Sequence, residues 1–416
     1  MGKMLAVRYV LMVSLLPFAA LVSAQQPYET HNIGNVNFTV TYYGACGFLS
    51  SQQLEGEGFK YPLNGANHLF YGGIAAGNSP DYLCDRYFGV GAPGPDNTDW
   101  NNVDGLYFGG AVYSDQDGWA QYDDSGHPLA EGIVVTQHSW AWAAGPYNDF
   151  VILRYTLLNA GQRAVNQLYA GQFMDFDVID GYSNYSGTDA GRRLAYMWYT
   201  AAFPYCGIKL LDPTTAANLS VIDHLIWVYP DSMMSDGAKH RFLDGTLSQV
   251  SGAVSQDWSV VVSAGPFTLP PGDSAVVAIA VLAGDNLADL QENADRAQEK
   301  YDFLGIEEAG NIGRPVYEFQ LSQNYPNPLR HMTTIRYALA GSGHTTLSIY
   351  DLTGRAVTTL VDRRQEPGLY SVPWDGRDGL ERSVPNGVYF YRLSTRRDDG
   401  GRGEAFTSTR KLTVLR

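Results

Sequence analysis

Apolar and polar residues alternate in one short stretch after another along this chain, and that pattern restricts it to strands. Val36, Phe38, Val40 and Tyr42 are interleaved with Asn37, Thr39 and Thr41, and residues two apart share one face of a strand. Residues 133–142, 149–158, 167–177, 257–264 and 274–283 are rich in β-branched and aromatic side chains, and each is expected to be a strand. Pro270-Pro271-Gly272-Asp273 lies between the last two and predicts a turn that joins them as a hairpin. One segment breaks the pattern. Leu287, Leu290, Ala294, Ala297 and Tyr301 recur at steps of three and four within residues 285–301, one apolar stripe of an α-helix. Asp285 or Asn286 can cap its start and Gly305 can close its end. No helices alternate with the strands, so a parallel α/β sheet is excluded and the class is all-β and antiparallel.

A chain of 416 residues is too long for one ordinary domain. Charge shows where it divides. Residues 25–314 carry a net charge of -21, residues 315–416 carry +4, and the first 24 residues carry +2. Residues 305–316 contain three Gly and one Pro with no periodicity, as a linker would. The expected organisation is a signal peptide at 1–24, an acidic β-sandwich at 25–304 built of one or two pairs of sheets, a linker at 305–316 and a small sandwich at 317–416. Strand signals in the last part include residues 345–350, 369–374, 387–393 and 405–415. About seven short strands in a hundred residues is the size of an Ig-like domain. The overall acidity, -15 for the whole chain, argues against general nucleic-acid binding, which needs clustered Lys and Arg.

Lys3 and Arg8 precede an apolar run from Val10 to Val22, and Val22-Ser23-Ala24 is a small-residue cleavage site. Such a run, about 13 residues, is too short for a bilayer, which needs about 20, and reads as a cleaved secretory signal. No other uninterrupted apolar segment approaches spanning length, so no transmembrane segment is expected in the mature chain. The three cysteines, Cys46, Cys84 and Cys206, allow at most one internal pair. They are expected as buried thiols, with a Cys46–Cys84 bridge left open.

Six ordered blocks near the C-terminus are more specific than a lone motif. They are FQLSQNYPNP (residues 319–328), TTIRYAL, LSIYDLTGR, GLYSVPWDGRD, PNGVYFYRL and the final RKLTVLR. Together they resemble the type IX secretion C-terminal sorting domain, a group close to the Ig-like domain of flagellar hook-capping proteins. Where that family often continues NP with Phe-Asn-Pro, this chain has Leu329-Arg330-His331-Met332. The resemblance implies export from a Gram-negative cell: the signal peptide leads to the periplasm, and an outer-membrane secretion translocon then reads the folded C-terminal domain. The cargo would be secreted or held on the outer cell surface. The expected sorting contact is the final strand with its exposed edge, represented by Lys411, Leu412, Val414 and Arg416. Residues 25–303 more faintly resemble segments of secreted proteins that bear the same tail, a resemblance that implies no activity.

Within the acidic part, Asp175 and Asp177 share one face of an expected strand, and Asp180, Asn184 and Asp189 follow in a Gly/Ser/Asn-rich loop. Ca²⁺ takes six to eight hard oxygen ligands, and clustered carboxylates with loop carbonyls can supply them. These five residues are the candidate metal site, set against a plain solvated acidic loop. The same two aspartates admit a glycosidase reading. Strand residues two apart lie about 6.5–7 Å apart at Cα, and glycosidase carboxyls stand about 5–9.5 Å apart. Trp100 and Trp119, expected in loops, neighbour acids such as Asp99 and are candidates for stacking on a glycan or matrix ligand. Trp140, Trp142, Trp198 and Trp258 are expected in the core. Asp115-Gln-Asp117-Gly118, with Asp123 and Asp124, is only half of a calcium loop. There is no HExxH, GxSxG or P-loop and no GxGxxG ahead of a helix, and the eight His are scattered. The sequence therefore points to a non-catalytic exported β-protein with a possible calcium site, and its enzymatic alternative is a polysaccharide hydrolase using Asp175 and Asp177.

Overall fold

The computed structural model describes residues 27–87, 98–109, 113–200, 202–214, 217–229, 234–304, 319–321, 323–324, 327–330, 332–365, 368–380, 382–397 and 406–415. The expected signal peptide (1–24) and linker (305–316) lie outside them. Two nine-stranded sheets account for the acidic part. The first runs Tyr28–His31, Asn37–Thr41, Ala45–Cys46, Tyr71–Ser79, Val165–Asp175, Trp258–Leu269, Asn218–Asp223, with Phe59–Lys60 and Tyr82–Cys84 as side branches. The second runs Ser251–Gln256, Asn184–Asp189, Leu194–Tyr199, Ala202–Asp212, Ser274–Gly284, Phe150–Asn159, Ile133–Ala141, Gln116–Asp123, Asn101–Gly109. The strands expected from alternation are all present, with ends shifted by a few residues. The expected turn at Pro270–Asp273 is present, with the Asp273 amide donating to the Pro270 carbonyl at 3.0 Å, but the expected hairpin is corrected: Trp258–Leu269 belongs to the first sheet and Ser274–Gly284 to the second, so the turn carries the chain from one sheet to the other.

Side-chain alternation sorts two apolar layers. On Phe150–Asn159, Val151, Leu153, Tyr155 and Leu157 join the core that also takes Phe38, Val40, Phe173 and Val261 from the first sheet. Phe150 and Ile152 face the opposite way. On Ser274–Gly284, Val277, Ile279 and Val281 belong to the first layer, and Ala278, Ala280 and Leu282 to the second. The second layer is closed by the helix Leu287–Phe303 through Leu290, Ala294, Ala297 and Tyr301, the stripe that the 3.6-residue period predicts. Asn286 caps it by accepting from the Asp289 amide at 3.1 Å. Alanines on both surfaces allow the helix backbone to approach the sheet closely.

Two short helices were not expected: His224–Trp227 and Asp236–Leu243. The second, DGAKHRFL, has no continuous apolar stripe. Caps start both, since Asp223 accepts from the Leu225 amide and Ser235 from the Ala238 amide. All three cysteines are free and buried. Among the described residues no helix is long and apolar enough to cross a membrane.

The C-terminal part is a small Ig-like sandwich. One sheet has Gln320–Leu321, Thr333–Leu339 and Gly368–Trp374, and the other has Ala356–Gln365, Gly343–Tyr350, Gly387–Arg397 and Phe406–Val414. Leu321, Ile335, Tyr337, Leu347, Ile349, Trp374, Tyr391, Leu393 and Leu412 form its core, with Phe319 packed at its border; among the described residues no buried side chain of the two-sheet part joins it.

Candidate functional site

Three segments of the first sheet bring distant polar residues together. Val165–Asp175 pairs with Trp258–Leu269, with Met174 opposite Val260, so one step further along the ladder Asp175 comes alongside Ser259. Asn218–Asp223 flanks the same strand on its other side, with Ile222 opposite Ser259. The chain then turns at the Asp223 cap, and the next residue, His224, faces the ends of both strands. Asp257 immediately precedes Trp258–Leu269.

His224 lies at the centre. Its Nδ1 is 3.1 Å from Asp257 Oδ1, and its Nε2 is hydrogen-bonded to the Ser259 hydroxyl and 3.9 Å from Asp175 Oδ1. Tyr87 and Ser259 hydroxyls are bonded at 2.8 Å. The Tyr229 hydroxyl donates to the second oxygen of Asp257. His224 is 2% exposed, Asp175 4% and Ser259 0%. Asp175 Oδ1 is buried with no hydrogen-bond partner. One ligand atom from each of Asp175, His224 and Asp257 lies within 4.8 Å of the other two.

Burial pushes the Asp175 carboxyl well above the usual carboxylate range against the pull of His224, and the nearby Asp257 and Asp177 push it further. Asp177 is raised to about 6, by burial first and then by Asp257. Burial alone would lower His224, but Asp175 and Asp257 outweigh it and the net shift is upward. The site is thus an acidic pocket around one imidazole.

Its hydrogen-bond order, hydroxyl to imidazole to carboxylate, is that of a nucleophilic triad. The surroundings oppose acyl transfer. Ser259 has no exposed surface, Tyr87 holds its oxygen, and a carboxylate, Asp175, stands beside it where an oxyanion would need donors. What the arrangement can do is hold a cation: it offers carboxylate oxygens, an imidazole nitrogen and a hydroxyl around a buried point.

Of the five residues expected to bind metal, Asp175 enters this cluster and Asp177 adjoins it electrostatically. The others are engaged elsewhere. Asp180 starts the 3₁₀ turn Gly181–Ser183, accepting from the Tyr182 amide at 3.1 Å and the Ser183 hydroxyl at 2.9 Å. Asn184 accepts from the Val178 amide at 3.0 Å and donates to the Asp180 carbonyl. Asp189 pairs with Arg192 at 3.0 Å and accepts from Gln291 at 3.1 Å. The expected loop is corrected: Asn184–Asp189 is a strand of the second sheet, and only the Asp180–Asn184 contacts close a local turn before it. His224, Asp257, Ser259 and Tyr87 were not singled out in the sequence. They lie far from Asp175 along the chain, in no recognisable spacing, and only sheet pairing assembles them.

The exposure expected of Trp100 and Trp119 is corrected: both are buried. Trp100 packs against Tyr122 at 5.6 Å and its indole N–H donates to the Ile74 carbonyl at 3.3 Å. Trp119 sits within Gln116–Asp123, a strand where a loop was expected. Asp99 is half-buried, accepts from the Asp85 amide at 3.3 Å and is raised to about 6 by burial. Trp140, Trp142 and Trp258 are buried as expected. Trp198 is half-buried, stacked between Tyr185 and Tyr205 at 5.6 and 5.5 Å. The remaining acids organise their own loops: Asp117 accepts from the Tyr113 and Ser114 amides, and Asp124 from those of Glu131 and Gly132.

In the Ig-like part, Leu412 and Val414 are core residues, Lys411 is exposed, and Arg416 lies outside the described residues. The exposed edge expected at Lys411–Arg416 is corrected too. Gln323 donates to the Lys411 carbonyl at 2.8 Å, and the Thr413 amide donates to Asn327 at 2.9 Å. Leu329 takes the Thr413 carbonyl at 2.8 Å and accepts from the Leu415 amide at 2.9 Å. Gln323 and Asn327 of the FQLSQNYPNP block and Leu329 just after it therefore satisfy this end of the strand, a paired edge rather than an open template.

Residues 331–399 match the family described as the FlgD Ig-like domain. Among curated proteins none matches. Solved structures similar to this chain include a bacterial glucoamylase complexed with acarbose, 11% identical, TM-score 0.44, covering 68% of this chain and 35% of that one. FlgD from Pseudomonas aeruginosa is 24% identical with a TM-score of 0.17 over 20% of this chain and 60% of its own. PorZ, a surface component of the type IX secretion system of Porphyromonas gingivalis, is 10% identical with a TM-score of 0.16, over 93% of this chain and 51% of its own. The chain thus spans about a third of the glucoamylase. At scores this low the three structures carry no argument about the chemistry of this chain.

Proposed function

We propose that the chain is an exported β-protein of a Gram-negative bacterium, secreted or displayed on the outer surface. In this reading the Ig-like domain directs passage through a type IX-like outer-membrane translocon and the two-sheet sandwich is its passenger. The observation that carries it is the core of residues 321–414, which among the described residues takes no buried apolar side chain from the two-sheet part. A domain with its own core folds independently of its neighbour, and a translocon can read it whatever precedes it. The six sequence blocks and the signal-like start support the same reading. Because the Lys411–Leu415 edge is already satisfied, recognition would use exposed side chains and loops of the folded domain, or follow release of the Gln323, Asn327 and Leu329 contacts.

The passenger is assigned a non-catalytic role, binding glycan or matrix or contributing structure. Burial of Asp175 supports this over hydrolysis, since a polysaccharide could not reach that carboxylate without opening the sheet. The test is deletion of residues 317–416 in the native host, followed by fractionation. Cargo should accumulate in the periplasm, and residues 305–416 fused to a periplasmic reporter should carry it to the surface. Surface display that survives the deletion would refute the sorting role.

A further inference from the structure

The export reading makes no use of the buried cluster beside Ser259, yet that cluster has a feature a finished protein interior rarely leaves. Asp175 is 4% exposed and its Oδ1 has no hydrogen-bond partner, although buried polar atoms are almost always satisfied and buried charges paired or metal-bound. That oxygen is 3.9 Å from His224 Nε2, Asp257 Oδ1 is 3.1 Å from Nδ1, and one oxygen of each carboxylate lies within 4.8 Å of the other. We propose that Asp175, His224 and Asp257 are the protein ligands of a single divalent metal ion of the zinc class, which ties together the ends of three chain segments.

The donor set decides the class of ion. Ca²⁺ takes six to eight oxygens, and here a nitrogen donor, His224, sits at the centre of a largely buried group. Imidazole with carboxylates suits Zn²⁺ and its first-row neighbours. Bond lengths near 2.0 Å place neighbouring ligand atoms of a tetrahedral zinc about 3.3 Å apart. One atom from each of the three residues already lies within 4.8 Å of the other two, so side-chain adjustment of roughly 1–1.5 Å brings these three ligands onto one ion. The outer partners are also in place. Tyr229 donates to Asp257, as second-sphere groups orient ligands in known metal sites, and Ser259, held by Tyr87, is bonded to the His224 ring. Tyr229 is 43% exposed and Asp257 is only partly buried, which gives an ion its way in. The enclosure that excludes a polymer substrate does not exclude an ion, and the role is structural.

The experiment uses the full chain, stripped with chelator and dialysed against Zn²⁺ or, separately, Ca²⁺, with bound metal measured by elemental analysis and affinity by competition with a chromophoric chelator. One zinc per chain is expected, with a raised melting temperature, and no comparable uptake of calcium. Asp175→Asn and His224→Gln should each weaken zinc binding at least tenfold, whereas Asp180→Asn, which alters only the turn cap, should leave it unchanged. Near-UV circular dichroism checks the fold of each variant. Should the two buried variants fail to fold, the partly exposed Asp257→Asn takes their place, together with the visible absorption of the Co²⁺-loaded wild type, which reports nitrogen–oxygen tetrahedral ligation. Folded wild type that retains no zinc overturns the proposal. So does zinc binding of unchanged strength in Asp257→Asn, or a calcium preference abolished by Asp175→Asn.

Discussion

His138 offers a sharp measure of how dry the outer layer of the second sheet is. It lies on Ile133–Ala141, opposite Arg154 and Trp119 on the flanking strands, is 2% exposed, and stacks on Trp140 with ring centroids 5.7 Å apart. Neither ring nitrogen has a hydrogen-bond partner. Burial, helped by the Arg154 charge, lowers its pKa from 6.5 to about 3. The folded protein therefore binds this proton later than the unfolded chain does. Stability due to a neutral His138 is complete above pH 6.5 and is lost as pH falls from 6.5 towards 3. At pH 5 the unfolded chain has gained about 1.5 pH units of protonation advantage, worth about 2 kcal/mol. His138→Leu is similar in volume, removes no hydrogen bond and cannot titrate. Urea unfolding of wild type and variant at pH 7.5 and pH 5.0 gives a stability difference at each pH. Contributions from His31, the raised carboxylates and every other group are common to both chains and cancel. The difference should move by about 2 kcal/mol in favour of the variant at pH 5. A difference that does not change with pH would refute the claim that the ring is held neutral by burial.

Other consequences are equally open to measurement. Lys239 and Asp85 form a fully buried pair at 2.9 Å, so Lys239→Met should cost about 3–5 kcal/mol in urea unfolding by stranding a carboxylate, and the double replacement with Asp85→Leu should recover much of it. Leu347→Ala empties part of the separate C-terminal core; calorimetry should show one transition destabilised by about 2–5 kcal/mol while that of the sandwich stays in place. An added methyl at Gly284 would meet the Leu290 backbone amide, so Gly284→Ala should lower the melting temperature through a cost of about 1–3 kcal/mol as the helix shifts. Asn327→Ala removes the acceptor for the Thr413 amide, and hydrogen exchange at that amide should quicken, with a stability loss of about 1 kcal/mol.

The strand pattern, the helix Leu287–Phe303 and the Ig-like character of the C-terminal part were all legible in the chain, because each depends on residues two, three or four apart. Val277 and Ala278 declare opposite faces by adjacency alone, and Asn286 declares a helix start by its side chain. Where local signals were weak, the reading erred. Asp236–Leu243 has no apolar stripe, being held by its Ser235 cap and the buried Lys239. Trp119 was placed in a loop because its strand begins in acidic, glycine-containing sequence. The edge of Phe406–Val414 looked open because the residues that satisfy it, Gln323, Asn327 and Leu329, lie more than eighty residues earlier.

Local periodicity thus determined which segments become strands and which becomes the long helix Leu287–Phe303. Tertiary structure alone decided that Asp175 keeps company with His224, Asp257 and Ser259 instead of with Asn184 and Asp189. The reason is physical: side-chain period is written in neighbouring residues, but which strand lies beside which follows from burying two sheet faces against each other, and that packing is a property of the whole chain.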